Sequence, residues 1–247
     1  MSSTWFLATS AIVITFVCAI ALVVLNKVLI SYAPPRIVVD AEVVNGSVVA
    51  RISDGIARSM ACNYAIVELS VPGGPVLDND IACWRRVSLS VGSTNVFSRS
   101  LLVTSLWCPT NNDPRPGRGC IVVDRLAVPI RGAVPIARLL NALILERGQR
   151  YELVSLTISL ANAGDLPLYI TDNTITILVG NRPCPSAIIH GAGTVEPKSR
   201  RVIIVYTFRC QLPTLGTPIY LVIKGVLRSM KLLLTANESS FAYEPIK

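Results

Sequence analysis

The chain has 247 residues, 51% of them hydrophobic, with a formal charge of +8 and a mean hydropathy of +0.55. That is apolar material for one large domain or two ordinary ones, and it excludes a disordered chain. A single histidine, fifteen acidic residues and the lack of HExxH, paired CxxC or a phosphate-binding glycine loop leave little for hydrolytic, metal or nucleotide chemistry, so neither enzyme activity nor a cofactor is expected.

The first element is an uncharged run of twenty-one residues from Trp5 to Leu25, with Phe6, Ile12, Phe16 and Ile20 along it. A helix needs about 20 residues to cross ~30 Å of hydrocarbon, so this run predicts a transmembrane anchor within residues 1–33. Ser31-Tyr32-Ala33 resembles a signal-peptide cleavage site, but no basic residue precedes the run, it is long for a signal, and Pro34 follows, so a retained anchor is expected. Lys27 and Arg36 favour a cytoplasmic bulk. Against them stand six cysteines outside the anchor and the possible glycosylation sites Asn45 (Asn45-Gly46-Ser47) and Asn237 (Asn237-Glu238-Ser239). A single-pass cell-membrane protein with its bulk extracytoplasmic is the expectation.

Pro34-Pro35 ends the helix, and short alternating segments follow. Strands are predicted over IVVDAEVV, SVVARI, AIVELSV, RVSLSV, SLLVTSLW and CIVVDRLAV, then LTISL, TITILV, RRVIIVYTF and IYLVIKGVL, with turns such as Asn45-Gly46 and Pro72-Gly73-Gly74 between them. Asp78-Asn79-Asp80 reads as a turn, and His190 as a loop residue with no second histidine to share a metal. Residues 136–147 fit both a strand and, through Leu139, Leu140, Leu143 and Ile144, a short linking helix. This density of strands and turns predicts antiparallel sandwiches.

The two halves resemble each other. Each has a glycine turn (Gly46, Gly148), a long alternating strand, a cysteine (Cys83, Cys184), and a Ser-Arg-led strand ending in a second cysteine (SRSLLVTSLWC, SRRVIIVYTFRC), 25 and 26 residues on. A duplication predicts two domains, residues 34–133 and 134–247. Equivalent positions should pair alike, which predicts Cys83–Cys108 and Cys184–Cys210 and leaves Cys62–Cys120 as a third bridge.

Eighteen arginines against five lysines carry the positive charge, singly or in pairs such as Arg85-Arg86 and Arg200-Arg201. Without a basic run interleaved with aromatics, nucleic acid is not expected, and an acidic surface layer, an acidic glycan or a neighbouring subunit is the better partner.

The apolar N-terminal helix and the phrases LTISLANAGDLPLYITDNTITILVG, VEPKSRRVIIVYTF and GTPIYLVIKG resemble archaeal type IV-like surface-filament proteins: pilins, archaellins and archaellum-associated anchored β-sandwich proteins. Asn162, Gly164, Pro197, Ser199 and Gly216 hold the matching positions. The resemblance implies a mainly β chain, with a transmembrane helix before two tandem immunoglobulin-like sandwiches, that contacts other surface or filament proteins and is compatible with homo-oligomers. Met1-Ser2-Ser3-Thr4 lacks the basic residue and glycine that precede the helix in processed subunits, which favours an accessory protein over a filament subunit. An anchored ligand- or glycan-binding module is the third reading.

Overall fold

The computed structural model describes residues 14–25, 37–53, 65–108, 119–185, 187–235 and 241–245. The chain is mainly β, in antiparallel sheets, and forms two compact units, Met1–Pro35 and Arg36–Lys247.

The first unit contributes one helix, α1, residues 14–25, and its large apolar side chains are all exposed, Phe16 at 68%. Phe16, Ile20 and Leu25 of the expected anchor lie in this helix, whereas Trp5, Phe6 and Ile12 lie outside the described residues, as do Lys27 and Arg36. Among the described residues, no helix is long and apolar enough to cross a membrane.

In the first half of the second unit, one sheet has the order β1-β2-β5, with β1 Val38–Val44, β2 Ser47–Ile52 and β5 Arg86–Ser90. A second has the order β4-β3-β6-β7, with β3 Ala65–Ser70, β4 Val76–Ile81, β6 Ser100–Trp107 and β7 Ile121–Pro129. Period-two alternation drives this arrangement: Val48, Ala50 and Ile52 of β2 and Val67 and Leu69 of β3 turn inward to one shared core, while Arg51 and Glu68 turn out. Asn45 and Gly46 join β1 to β2 with φ of 50° and 79°, the positive pair of a type I′ hairpin turn. Asp78-Asn79-Asp80 is not a turn. It lies inside β4, a sheet-edge strand with polar side chains, where few apolar positions mark a strand in the sequence.

The second half repeats the plan. One sheet has the order β13-β15-β9-β8, with β8 Pro135–Arg147, β9 Arg150–Asn162, β13 Ala187–His190 and β15 Arg200–Leu212. The other runs β12-β11-β16-β17-β18, with β11 Ile175–Val179, β12 Arg182–Pro183, β16 Ile219–Lys224, β17 Arg228–Leu233 and β18 Phe241–Pro245. A short pair, β10 (Leu168–Ile170) with β14 (Gly193–Val195), is added to the plan. Residues 136–147 are strand throughout, pairing with β9 from Pro135↔Asn162 to Arg147↔Arg150. Register shifts at Leu139/Asn141 and Leu143/Ile144 break strict alternation, so the apolar spacing imitates a helix.

Pairing relates β1, β2, β5 to β8, β9, β15, and β4, β3, β6, β7 to β12, β11, β16, β17. β15 therefore corresponds to β5, and the SRSLLVTSLWC strand, β6, corresponds to β16. The expected Cys83–Cys108 bridge rested on matching β6 with β15 and is replaced: Cys108 bonds Cys120 across the mouth of the β6–β7 hairpin, Cα atoms 4.1 Å apart. Cys184, just after β12, bonds Cys210 in β15, Cα atoms 5.0 Å apart, and so ties the two sheets of the second half together. The expected Cys62–Cys120 bridge is likewise replaced, because Cys120 faces Cys108 across the hairpin; Cys83 is also disulfide-bonded, and Cys62 lies outside the described residues. Cys18, in α1, is free.

Two apolar cores result, one from each half, and they exchange a residue: Phe97 of the first half packs into the second core, and Leu166 of the second half into the first. Around this exchange Gly164 lies so close to the Gly132 carbonyl that a Cβ there would overlap it, and a Cβ on Gly225 would stand 2.7 Å from both the Asn95 carbonyl oxygen and the Phe97 ring. The Arg228 guanidinium donates to the Phe97 carbonyl from the far side. The Arg131 amide donates to the Asp165 carboxylate at 2.9 Å, and the Asp165 amide returns a bond to the Arg131 carbonyl at 2.7 Å.

Candidate functional site

In the sheet β13-β15-β9-β8, inward residues such as Leu156, Ile158, Ile203 and Val205 fill the second core, so their neighbours in sequence form an outer face. Large apolar side chains stand on that face among small and polar ones such as Ser155, Thr157, Asn141 and Arg138, where an exposed sheet usually turns mainly polar residues to water. Leu140 and Leu143 on β8, Val202 and Phe208 on β15 and Ile188 on β13 are each about half exposed. The register aligns them in rows: Ile188, Tyr206, Ser155 and Leu143 run across the four strands, and His190, Ile204, Thr157 and Asn141 form the next row. The β9 members are small, Ser155, Thr157, Ser159 and Ala161, so the face is lower along β9 than along its neighbours.

At one end of this face the ladder between β15 and β9 breaks between Tyr206 and Cys210. Arg209 there has φ 53°, the left-handed region that a non-glycine residue rarely adopts unless its surroundings hold it. Both sides are held: the buried Thr207 hydroxyl donates to the Leu153 carbonyl at 2.5 Å, and Cys210 is fixed by its disulfide. Phe208, 51% exposed, faces outward by the strand's alternation, and the bulge leaves Arg209 exposed beside it while returning Cys210 to the core. Beside them the rings of His190 and Tyr206 meet edge to face, with centroids 5.3 Å apart at 78°. His190 ends strand β13 and is not a loop residue. Together with Glu152 and Ile188 these side chains line a concavity of about 500 Å³.

A second hollow, about 400 Å³, lies at the exchange between the halves, lined by Val71, Val96, Phe97, Leu227 and Arg228. Its one charged group is already engaged by the Phe97 carbonyl, so its character is apolar and structural. Comparison with protein-family models, with characterised proteins and with solved structures gives no match, so the chemistry of these surfaces carries the functional argument.

The residues singled out in the sequence are dispersed. Asn45 is exposed at the tip of the first hairpin, and Asn237 lies outside the described residues. Asn162 is a structural hub: its Oδ1 accepts from the Val134 and Gly164 amides at 3.1 and 3.0 Å, and its Nδ2 donates to the Leu166 and Val195 carbonyls at 2.8 and 3.1 Å. Ser199 donates to the Glu196 carbonyl at 2.7 Å in the turn before β15. Arg85-Arg86 and Arg200-Arg201 begin or precede strands on different sheets. Sequence reasoning missed Phe208 and Arg209. The one available signal was Arg209, a charged residue that follows RRVIIVYTF at a position where the alternation would face inward, which marks a bulge.

Two ionisable groups outside this face are shifted. Burial on β3 pushes the Glu68 carboxyl above its usual range. Burial, and then the nearby Glu196 carboxylate, raises the Tyr169 phenol.

Proposed function

We propose that this chain is a non-enzymatic structural or interaction protein, held at a cell membrane by its N-terminal apolar segment. In this reading two immunoglobulin-like sandwiches stand outside the cytoplasm and bind an envelope, surface-layer or filament partner, in the manner of an archaellum or pilus accessory protein. The observation that carries it is a pair of apolar surfaces: helix α1, whose large side chains are all open, and the outer face of the β13-β15-β9-β8 sheet. Monomeric proteins rarely leave contiguous apolar patches uncovered, and such patches mark membrane or protein contacts. Disulfides at Cys108–Cys120 and Cys184–Cys210 support an oxidising compartment.

The second reading, a filament subunit, draws on the same helix, because a helix apolar on all sides packs against copies of itself as readily as against lipid. Fractionation of native cells separates the two. The accessory reading predicts that the polypeptide stays with washed membranes and that its bulk is cut by protease added to intact cells. Recovery as the repeating subunit of sheared surface filaments supports the second reading, and protection in intact cells with digestion only after lysis contradicts an extracytoplasmic bulk.

A further inference from the structure

We infer that the concavity beside the β15 bulge is a carbohydrate site that receives one pyranose unit of a glycan, stacked on Phe208 and Tyr206 and hydrogen-bonded by Arg209, Glu152 and His190. The inference deepens the interaction reading above and rests on it only in taking the outer sheet face as the working surface.

A pyranose ring is two-sided in chemistry: axial C–H groups make an apolar face, and hydroxyls that both donate and accept surround it. The concavity supplies a matching set. Phe208 is half exposed and Tyr206 presents its ring beside it, held edge-on by His190. Arg209 offers a fork of donors, Glu152 offers acceptors, and the imidazole of His190 offers one of each. A purely apolar ligand would cover the Arg209 guanidinium without supplying an acceptor, which is costly. A phosphate would face the Glu152 carboxylate with a single arginine in its favour. At about 500 Å³ the hollow is of the size that small-molecule ligands occupy.

The backbone adds an independent reason. Left-handed φ at a non-glycine residue is strained and persists where the surroundings impose it, commonly at ligand sites. At Arg209 the Thr207 hydroxyl and the Cys184–Cys210 disulfide impose it, and the consequence is that Arg209 is exposed beside Phe208, at a position where alternation would bury it. A bulge that served the core alone would not need a charged side chain set beside the outward aromatic.

The test is saturation-transfer NMR on the full-length protein in a detergent without a sugar headgroup, with methyl glucoside, methyl glucuronide, linear oligosaccharides and a glycopeptide as probes. The expected result is transfer to ring C–H protons of at least one probe, and the free-sugar and glycopeptide arms identify the source of the unit. Phe208→Ala should weaken binding about tenfold, the worth of a stacked aromatic contact. Arg209→Gly removes the guanidinium while suiting the φ of 53°, so it should weaken binding similarly with unfolding stability unchanged or higher. Absence of transfer from every sugar to the folded wild-type protein overturns the inference, as does transfer that persists undiminished in both variants. Binding of an anilinonaphthalene dye at this place with no sugar binding overturns it too, since the hollow is then open and apolar yet takes no pyranose. Loss of sugar binding from the account leaves the membrane and partner reading standing, because that reading is judged by fractionation and cross-linking.

Discussion

The side chain of Asn95 pairs with the backbone of Tyr169 as a neighbouring strand would: its Oδ1 accepts from the Tyr169 amide at 2.7 Å and its Nδ2 donates to the Tyr169 carbonyl at 2.9 Å. Nδ2 also donates to the Lys224 carbonyl at 3.0 Å, and the Asn95 main-chain carbonyl accepts from the Val226 amide at 3.0 Å. At 2% exposure, one residue of the first half thus completes the hydrogen bonding of two strands and a turn of the second.

Asn95→Ala should therefore destabilise the protein by about 2 to 3 kcal/mol, since the Tyr169 amide and the Lys224 carbonyl lose their Asn95 partner and the Tyr169 carbonyl keeps only the Thr174 hydroxyl. Asn95→Asp keeps an acceptor for the Tyr169 amide but sets a carboxylate against two carbonyls, and should cost more. Urea unfolding followed by tryptophan fluorescence gives both values. A loss within 0.5 kcal/mol for alanine would show that water replaces the amide.

The exchange of Phe97 and Leu166 between the two cores makes a second prediction. Each truncation to alanine should cost about 3 to 4 kcal/mol. Each also removes packing from the opposite half, so the two halves should still unfold in one transition that shifts as a whole. Two resolved calorimetric transitions, only one of which moves with Phe97→Ala, would contradict this coupling.

Glu68 gives a dependence on pH. Its folded-state carboxyl is raised by burial, so the folded chain holds its proton more tightly than the unfolded chain. Its effect on stability is then absent below the usual carboxylate range and turns unfavourable as pH rises from the unfolded value through the folded one. Glu68→Gln should raise the melting temperature at pH 7 and leave it unchanged well below the carboxylate range. An equal gain at both pH values would assign the effect to packing.

Much of the strand pattern was legible because burial alternates along the chain: SVVARI, AIVELS and IYLVIK read as strands and lie in sheets. Irregular places misled. The two register shifts in β8 blur its period, and polar β4 carries too few apolar residues to announce itself. The disulfide error has the same root. Two Ser-Arg-led strands with a terminal cysteine look equivalent in one dimension, yet β6 and β15 belong to different sheets of their halves, a distinction made only by strand pairing. The concavity near Arg209 was hidden for another reason: it joins β13, β9 and β15, and its decisive feature is a backbone angle.

If the outer face of the β13-β15-β9-β8 sheet meets a partner in the envelope, photo-cross-linking in native cells should capture that contact. A photoreactive residue replaces Leu143 or Val202, both about half exposed on that face, and Arg51 or Ser88 on the outer side of β1-β2-β5 serves for comparison. One discrete cross-linked envelope polypeptide is expected from Leu143 and Val202 and none from Arg51 or Ser88. Cross-links from the comparison positions, with none from Leu143 and Val202, would rule out this face as the contact.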